Sequence, residues 1–438
     1  MTTMTDKIKF NKENFEELWG SICLDTSLAL NDSLKEIGNP RDVATIAVID
    51  GLASYLAEVL AEVEKGKKII WHEFMCPPIL FRGFPGVHPV MAETMSGVLP
   101  VLDPEGLVPY LDAGAEMVTN EVCPAAVGFL GCLVKEVCPP CDMIVMPVAP
   151  CDSFNISYQI VPKLLDAPMH ILDIPYWQDE PSIDYYTGLM WKMIRDVEDT
   201  LKVKMDWDLC RESIKLANET LDYWKAENEM RKITPCPHGG KVNFYAWLLY
   251  LVAAGTPYAR DSFKRVLEDS RQLALQKKGC IEGGEKARLL FYNPDPFYDA
   301  PIHDWLEDEY RTVTVFNFFG HAVPTWIDPS TPETIVRDCA WHSMNCSMAR
   351  QYRGPMEYFM DDFVNVLDNW NIDAVVVPAL LECKHGQATH GFVRDACRER
   401  GKPLLLAEFS PMDPRPVSID KLRDMVAEFL ETQVFPLK

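Results

Sequence analysis

Two short apolar runs, more than two hundred residues apart, are framed in the same way. Asp142-Met-Ile-Val-Met-Pro147 leads to Pro150-Cys151-Asp152, a helical stretch and Pro168-Met-His-Ile-Leu172. Asp373-Ala-Val-Val-Val-Pro378 leads to Glu382-Cys383-Lys384, a helical stretch and Pro403-Leu-Leu-Leu406. An unbroken apolar run of this length predicts a strand buried on both faces, as in a parallel sheet. Each unit therefore reads as strand, cysteine-bearing loop, crossover helix and strand. Further strands are predicted at residues 69–71, 287–292 and 312–317.

Elsewhere the apolar residues recur at helical spacing. Residues 10–37 and 41–65 read as helices, the second through Val43, Ile46, Leu52, Leu56, Val59 and Leu60. Residues 91–97 and 107–113 are loosely helical. Residues 183–230 carry almost no strand signal; Leu189, Met193, Val197 and Leu201 share one helix face and Ile214, Ala217, Leu221 and Trp224 another. Residues 244–255, the longest apolar stretch, suit a buried helix. Helices also fit 260–276, 357–370 and 419–432. The glycine-rich Gly279-Cys-Ile-Glu-Gly-Gly-Glu285 reads as a linker. The predicted architecture is α/β: two doubly wound, flavodoxin-like parallel sheets. The expected divisions are a helical segment at 1–66, a first α/β domain at 67–180, a mainly helical insert at 181–285 and a second α/β domain at 286–438.

Composition narrows the function. The 438 residues are too many for one ordinary core, and 48% are hydrophobic, enough for large buried sheets. The net charge is −23, with no basic run, which argues against a nucleic-acid partner. No uninterrupted apolar run approaches the roughly 20 residues of a membrane span, and none is predicted. Residues 1–9 are polar, so no secretory leader is expected. The fourteen cysteines then read as reduced thiols of a cytoplasmic protein.

Most of those cysteines are expected to be core packing, because free cysteine is among the most buried residue types. Cys151 and Cys383 stand apart. Ligands of open α/β sheets gather beyond the carboxyl ends of strands, where both fall. Cys123, shortly before the first of these strands, is one chain crossing away. Three thiolates facing one cleft suit a soft metal centre with an open position. His72 and Glu73, after the 69–71 strand, are candidates for acid–base work. Neighbours on a strand point to opposite sides, so a shared site requires a loop there. Cys138-Pro-Pro-Cys141 has no partner CxxC for zinc and does not open a helix as a redox dithiol would. Cys236 with His238, and His342 with Cys346, are weaker metal candidates. There is no GxxxxGKS/T phosphate loop, no GxGxxG after a strand and no GxSxG elbow.

Taken in order, Glu121-Val-Cys123, Asp142 to Asp152, Asp173-Ile-Pro-Tyr176, Asn371 to Lys384 and Asp413-Pro-Arg415 resemble the 2-hydroxyacyl-CoA dehydratase / benzoyl-CoA reductase family. The resemblance runs over residues 67–432. It implies a 4Fe-4S cluster held by Cys123, Cys151 and Cys383 in the cleft between the sheets. The fourth iron would be free for water or a thioester carbonyl. It implies an acyl-CoA substrate, and an electron supplied by a separate ATP-dependent iron–sulfur activator. The electron makes a ketyl radical in the dehydratases and enters an aromatic ring in the reductases. A paralogous second subunit, or a homodimer, is also implied. Some relatives are double-cubane electron-transfer proteins, and Cys76, Cys132, Cys138, Cys141 and Cys346 leave room for a larger cluster. The sequence departs from the dehydratase pattern at Trp71 to Pro77, where a serine-rich turn is usual, and at Val87 to Glu93, where a Tyr-Pro-Glu-Asn-like phrase is usual.

Overall fold

A computed structural model describes residues 7–73, 76, 78–119, 121–149, 151–323 and 325–437. Of the positions singled out above, Phe74, Met75, Pro77 and Pro150 lie outside the described residues.

Two four-stranded parallel sheets share one topology. The first contains β1 (Lys68–His72), β2 (Val87–Met91), β3 (Met143–Pro147) and β4 (Met169–Leu172), in the order β2-β1-β3-β4. The second contains β5 (Ala287–Phe291), β6 (Thr312–Asn317), β7 (Ala374–Leu380) and β8 (Leu404–Phe409), in the order β6-β5-β7-β8. The chain leaves β1 for the strand on one side and returns to the other side with β3. β5 and β7 repeat that move, so each sheet has a switch point at the carboxyl ends of its two central strands.

The repeated aspartate has a physical role. Asp142 accepts the Ile69 N–H through its carboxylate at 2.8 Å, while its own N–H donates to the Ile69 carbonyl at 2.9 Å. Asp373 does the same to Arg288, at 2.9 Å in both bonds. Each aspartate thus fixes the register of one central strand against the other at the amino end. Alternation then sorts the apolar side chains. Leu289 and Val376 enter a core with the helix Ile419–Phe429, whereas Leu290, Val375 and Val377 join the main core.

β2 is the strand that hydropathy patterning misses; the sequence instead suggests a helix from residue 91. Pro89 sits in its middle and cannot donate to a ladder, which confines the segment to a sheet edge, and β2 is an edge strand. Its side chains are nonetheless all buried, under neighbouring helices.

Between β4 and β5 the chain is helical: Glu180–Leu201, Trp207–Met230, Gly240–Ala253 and Pro257–Leu275. Asp179, Asp206 and Thr256 cap the first, second and fourth by accepting N–H groups of the first turn. Buried Arg231 ties this segment to the second sheet, donating to Glu227 at 3.0 Å, the Val315 carbonyl at 2.8 Å and the Gly239 carbonyl at 2.8 Å. Pro40–Glu64 has the length and composition of a membrane-crossing helix, although no membrane span is predicted from the sequence. It packs against Asp25–Ile37, Gly240–Ala253 and Pro257–Leu275, and 56% of its apolar window is buried, as in a core helix. Gly51 permits that packing, since a Cβ there would lie 2.6 Å from Leu249 and 2.7 Å from Ser262 Oγ.

Candidate active site

Both sheets direct their carboxyl ends at one cavity of about 440 Å3. Its walls follow β2 (Met91, Glu93), β3 (Cys151), β5 (Pro294, Phe297), β6 (Phe319), β7 (Cys383) and β8 (Met412), with Cys123 added from the first unit. Trp247, Leu248 and Leu251 of Gly240–Ala253 close one side. Trp247 stacks on Phe319 with ring centroids 3.7 Å apart and planes within 4°. The volume is that of an ordinary ligand pocket, and the lining is mostly aromatic and aliphatic with few polar groups.

The three cysteines share one local setting. Cys123 is the N-cap of Pro124–Val134, Cys151 of Asp152–Leu164 and Cys383 of Lys384–Glu399. The unpaired N–H groups of a first helical turn carry partial positive charge, so three helix starts surround the sulfurs. Cys383 Sγ accepts the Gly386 N–H at 3.3 Å. Cys151 sulfur is favoured by the amides of Phe154 and Ser153, and Cys123 sulfur by that of Ala125. Gly386 is constrained by this arrangement, because a Cβ would sit 2.8 Å from Asn293 Nδ2 and 3.3 Å from the Cys383 sulfur. The Cys123 N–H donates to Ser153 Oγ at 3.1 Å, joining its segment to the helix that Cys151 caps.

Burial pushes the Cys151 thiol up to about 12, and raises Cys123 and Cys383 as well. Cys123 is further raised by the facing Cys151 and Cys383. Three ionised sulfurs here require cationic partners. Among the described residues no three His, Cys, Asp or Glu side chains meet at a single metal-ion position.

His72 and Glu73 are not among the cavity's lining residues. His72 is fully buried at the end of β1, its ring stacked on Phe81 and its Nδ1 3.2 Å from the Glu73 carbonyl. Burial lowers its pKa to about 4, which keeps the ring neutral. Glu73 is buried as well, and its charge reaches Cys151. Cys76, Cys132, Cys138, Cys141 and Cys346 also lie off the cavity wall. The zinc candidates are engaged elsewhere: His238 pairs with Asp269 at 2.9 Å and Ser270 at 3.1 Å, and His342 meets Thr325 Oγ1 at 2.7 Å.

Sequence reading gave Glu93 no role, and the structure places it in the wall. It follows β2 directly and is 4% exposed. The Tyr158 hydroxyl donates to its Oε1, while Oε2 has no hydrogen-bond partner among the described residues. Burial raises this carboxyl to about 8, so it holds a proton near neutrality. The signal was its place at the carboxyl end of a strand, but Pro89 hid the strand.

Residues 86–432 match the sequence pattern of the family described as 2-hydroxyglutaryl-CoA dehydratase, D-component. The chain belongs to that family. Two relatives add to the match. The (R)-phenyllactyl-CoA dehydratase alpha subunit of Clostridium sporogenes is 28% identical over 145 residues, 32% of this chain and 36% of that subunit. The lactoyl-CoA dehydratase subunit alpha of Anaerotignum propionicum is 19% identical over 304 residues, 67% of this chain and 70% of that subunit. The first match thus spans about a third of its relative's length. The D-component match takes in Glu93 and all three cysteines of the cavity.

Proposed function

We propose that this D-component protein is the cluster-bearing subunit of a dehydratase that removes water from a 2-hydroxyacyl-CoA. The observation that carries the reading is the convergence of three helix-capping cysteines, from two separate sheets, on one ligand-sized cavity. Cys123, Cys151 and Cys383 would hold a 4Fe-4S cluster by three irons. When bound, the cluster supplies one-electron reduction of the thioester carbonyl.

The remaining roles belong to side chains. The amide hydrogens at the three helix starts offset the negative charge on the sulfurs. Trp247, Phe297 and Phe319 keep water from the acyl group. Glu93, protonated near neutrality and with one oxygen free, gives its proton to the departing 2-hydroxyl, which leaves as water. Tyr158 positions that carboxyl. The chain has no phosphate-binding loop, so the electron is assigned to a separate ATP-dependent iron–sulfur activator. Both relatives are named as alpha subunits, which supports a second, paralogous subunit. A ligand-sized cavity with a proton donor in its wall favours catalysis over a relay, and the extra cysteines off that wall favour one cubane over a larger cluster.

Anaerobic purification should yield a brown protein with about four irons and matching sulfide per chain. With an activator, ATP, a reductant and a 2-hydroxyacyl-CoA, enoyl-CoA absorbance should appear. A folded protein free of iron and sulfide, or a loaded one inert towards every 2-hydroxyacyl-CoA tried, would rule the reading out.

A further inference from the structure

The active-site cavity does not end in solid packing on the side of the N-terminal helices. Met91, Gly97 and Leu248 wall it there, and the same three residues wall a second cavity of about 70 Å3. Gly97 puts no side chain into the divide; a Cβ at that point would come within 3.6 Å of Phe297 and 3.8 Å of Leu248. Met91 has a flexible, unbranched side chain that can move aside. Beyond the divide the lining is hydrocarbon: Leu30, Ile49, Leu52, Val98, Val101 and Val252. Of the four hydroxyl-bearing residues in the wall, Ser27, Tyr55, Thr94 and Tyr245, the first three are hydrogen-bonded within the protein. Thr94 donates to the Met91 carbonyl at 2.7 Å and lies 3.3 Å from the Tyr55 hydroxyl, and Ser27 donates to the Cys23 carbonyl at 2.7 Å. No Asp, Glu, Lys, Arg or His is in the wall.

We propose that this annex receives the far end of the substrate's acyl group, and that the substrate is a 2-hydroxyacyl-CoA with an extended, uncharged hydrocarbon side chain. The inference rests on the reading of the main cavity as an acyl-CoA site. A methyl group, as in a lactoyl thioester, leaves the annex empty. A dicarboxylic acyl group would place a carboxylate among hydrocarbon with no partner, which is strongly unfavourable. An aliphatic or phenyl end buries apolar surface with no polar group left unpaired. The selecting walls on the helices Asp25–Ile37 and Val43–Glu64 precede residue 86, where the family match begins. Chain-length selection is therefore built partly by residues outside the segment that matches the family.

The test is calorimetric binding of unreactive thioesters to the anaerobic full-length protein: propionyl-, butyryl-, pentanoyl-, hexanoyl-, 3-phenylpropionyl- and glutaryl-CoA. Affinity is expected to rise about fourfold per added methylene from propionyl to hexanoyl. Glutaryl-CoA is expected to bind at least about tenfold more weakly than pentanoyl-CoA, which has the same number of acyl carbons. Leu52→Trp fills the annex from one helix and Val101→Phe from another. Either variant, if folded, should lose the gain for hexanoyl and keep propionyl binding. Equal affinity along the series, glutaryl-CoA as tight as pentanoyl-CoA, or a gain that survives both substitutions would overturn the annex while leaving the acyl-CoA site standing. Failure of every thioester to bind would overturn the underlying reading as well.

Discussion

The two sheets are built alike and furnished differently. Each has the same strand order, the same aspartate clamp between central strands and the same cysteine capping the helix after its third strand. The differences lie at the other strand ends. After β2 stands Glu93, a buried carboxyl that burial raises to about 8; at the matching place after β6 stands Phe319, stacked on Trp247. The helix running into β3 is capped by Cys123, whereas the helix running into β7, Met356–Asn369, has Pro355 at that position. One unit therefore contributes two thiols and the carboxyl, the other one thiol and an aromatic wall. What the copies share makes a frame; what they do not share gives the cavity between them two distinct sides.

The sharpest way to break the comparison is at the shared cysteine. Cys151→Ser and Cys383→Ser should each remove most of the iron from anaerobically purified protein, because coordination energy is also folding energy. Full iron content in either variant would take that unit out of the ligand set. Glu93→Gln should leave iron unchanged and lower turnover about 10²–10⁴-fold, the usual contribution of a positioned acid. The counterpart Phe319→Leu should change thioester affinity more than turnover, which steady-state kinetics on both variants would separate.

Glu93 also sets a pH dependence, as does the buried Glu307 of the second unit, which burial raises to about 7. The folded pKa of Glu93, about 8, exceeds its ordinary value of 4.5, so the folded chain holds the proton more tightly than the unfolded one. The stability tied to that proton is complete below about pH 4.5 and falls as pH rises through about 8, by at most ~1.4 kcal/mol per pH unit. Glu93→Gln should flatten that decline in urea titrations run from about pH 5 to 8.5; an unchanged slope would show that another group is responsible. Smaller effects are expected at the clamps. Asp142→Ala and Asp373→Ala should each cost about 2 kcal/mol, since each removes a charged acceptor from a strand N–H. Unequal losses in denaturation would show that one sheet leans on its clamp more than the other. Smallest of all is the exposed pair of Arg415 with Asp112, 2.6 Å apart, which joins the tail of the second unit to the first. Arg415→Ala should change stability by no more than about 1 kcal/mol, less at high salt.

Much of the frame was legible. A strand buried on both faces must be apolar at every position, so β3 and β7 appear in the chain as unbroken runs, and their flanking Asp and Cys mark the repeat. The long amphipathic helices between β4 and β5 announce themselves by spacing. β2 did not, because Pro89 is expected to break a strand and is tolerated only at an edge, a property of sheet order rather than of local sequence. The site was half legible. Cys151 and Cys383 follow strand ends, and their place on the cavity wall could be read from that. Glu93 was lost with its strand. His72 shares a strand end with Glu73, yet its ring packs on Phe81, a choice made by neighbours that are not its neighbours in the chain.

By itself, the sequence determined where strands and helices form and which cysteines sit at their junctions, because those depend on periodicities spanning ten or so residues. Only the tertiary structure decided that both sheets aim their carboxyl ends at the same space, that Cys123 joins the other two thiols there, and that helices of the first eighty-five residues wall a second cavity beside it. Such convergence is set by how whole layers pack across hundreds of residues, and no local pattern encodes it.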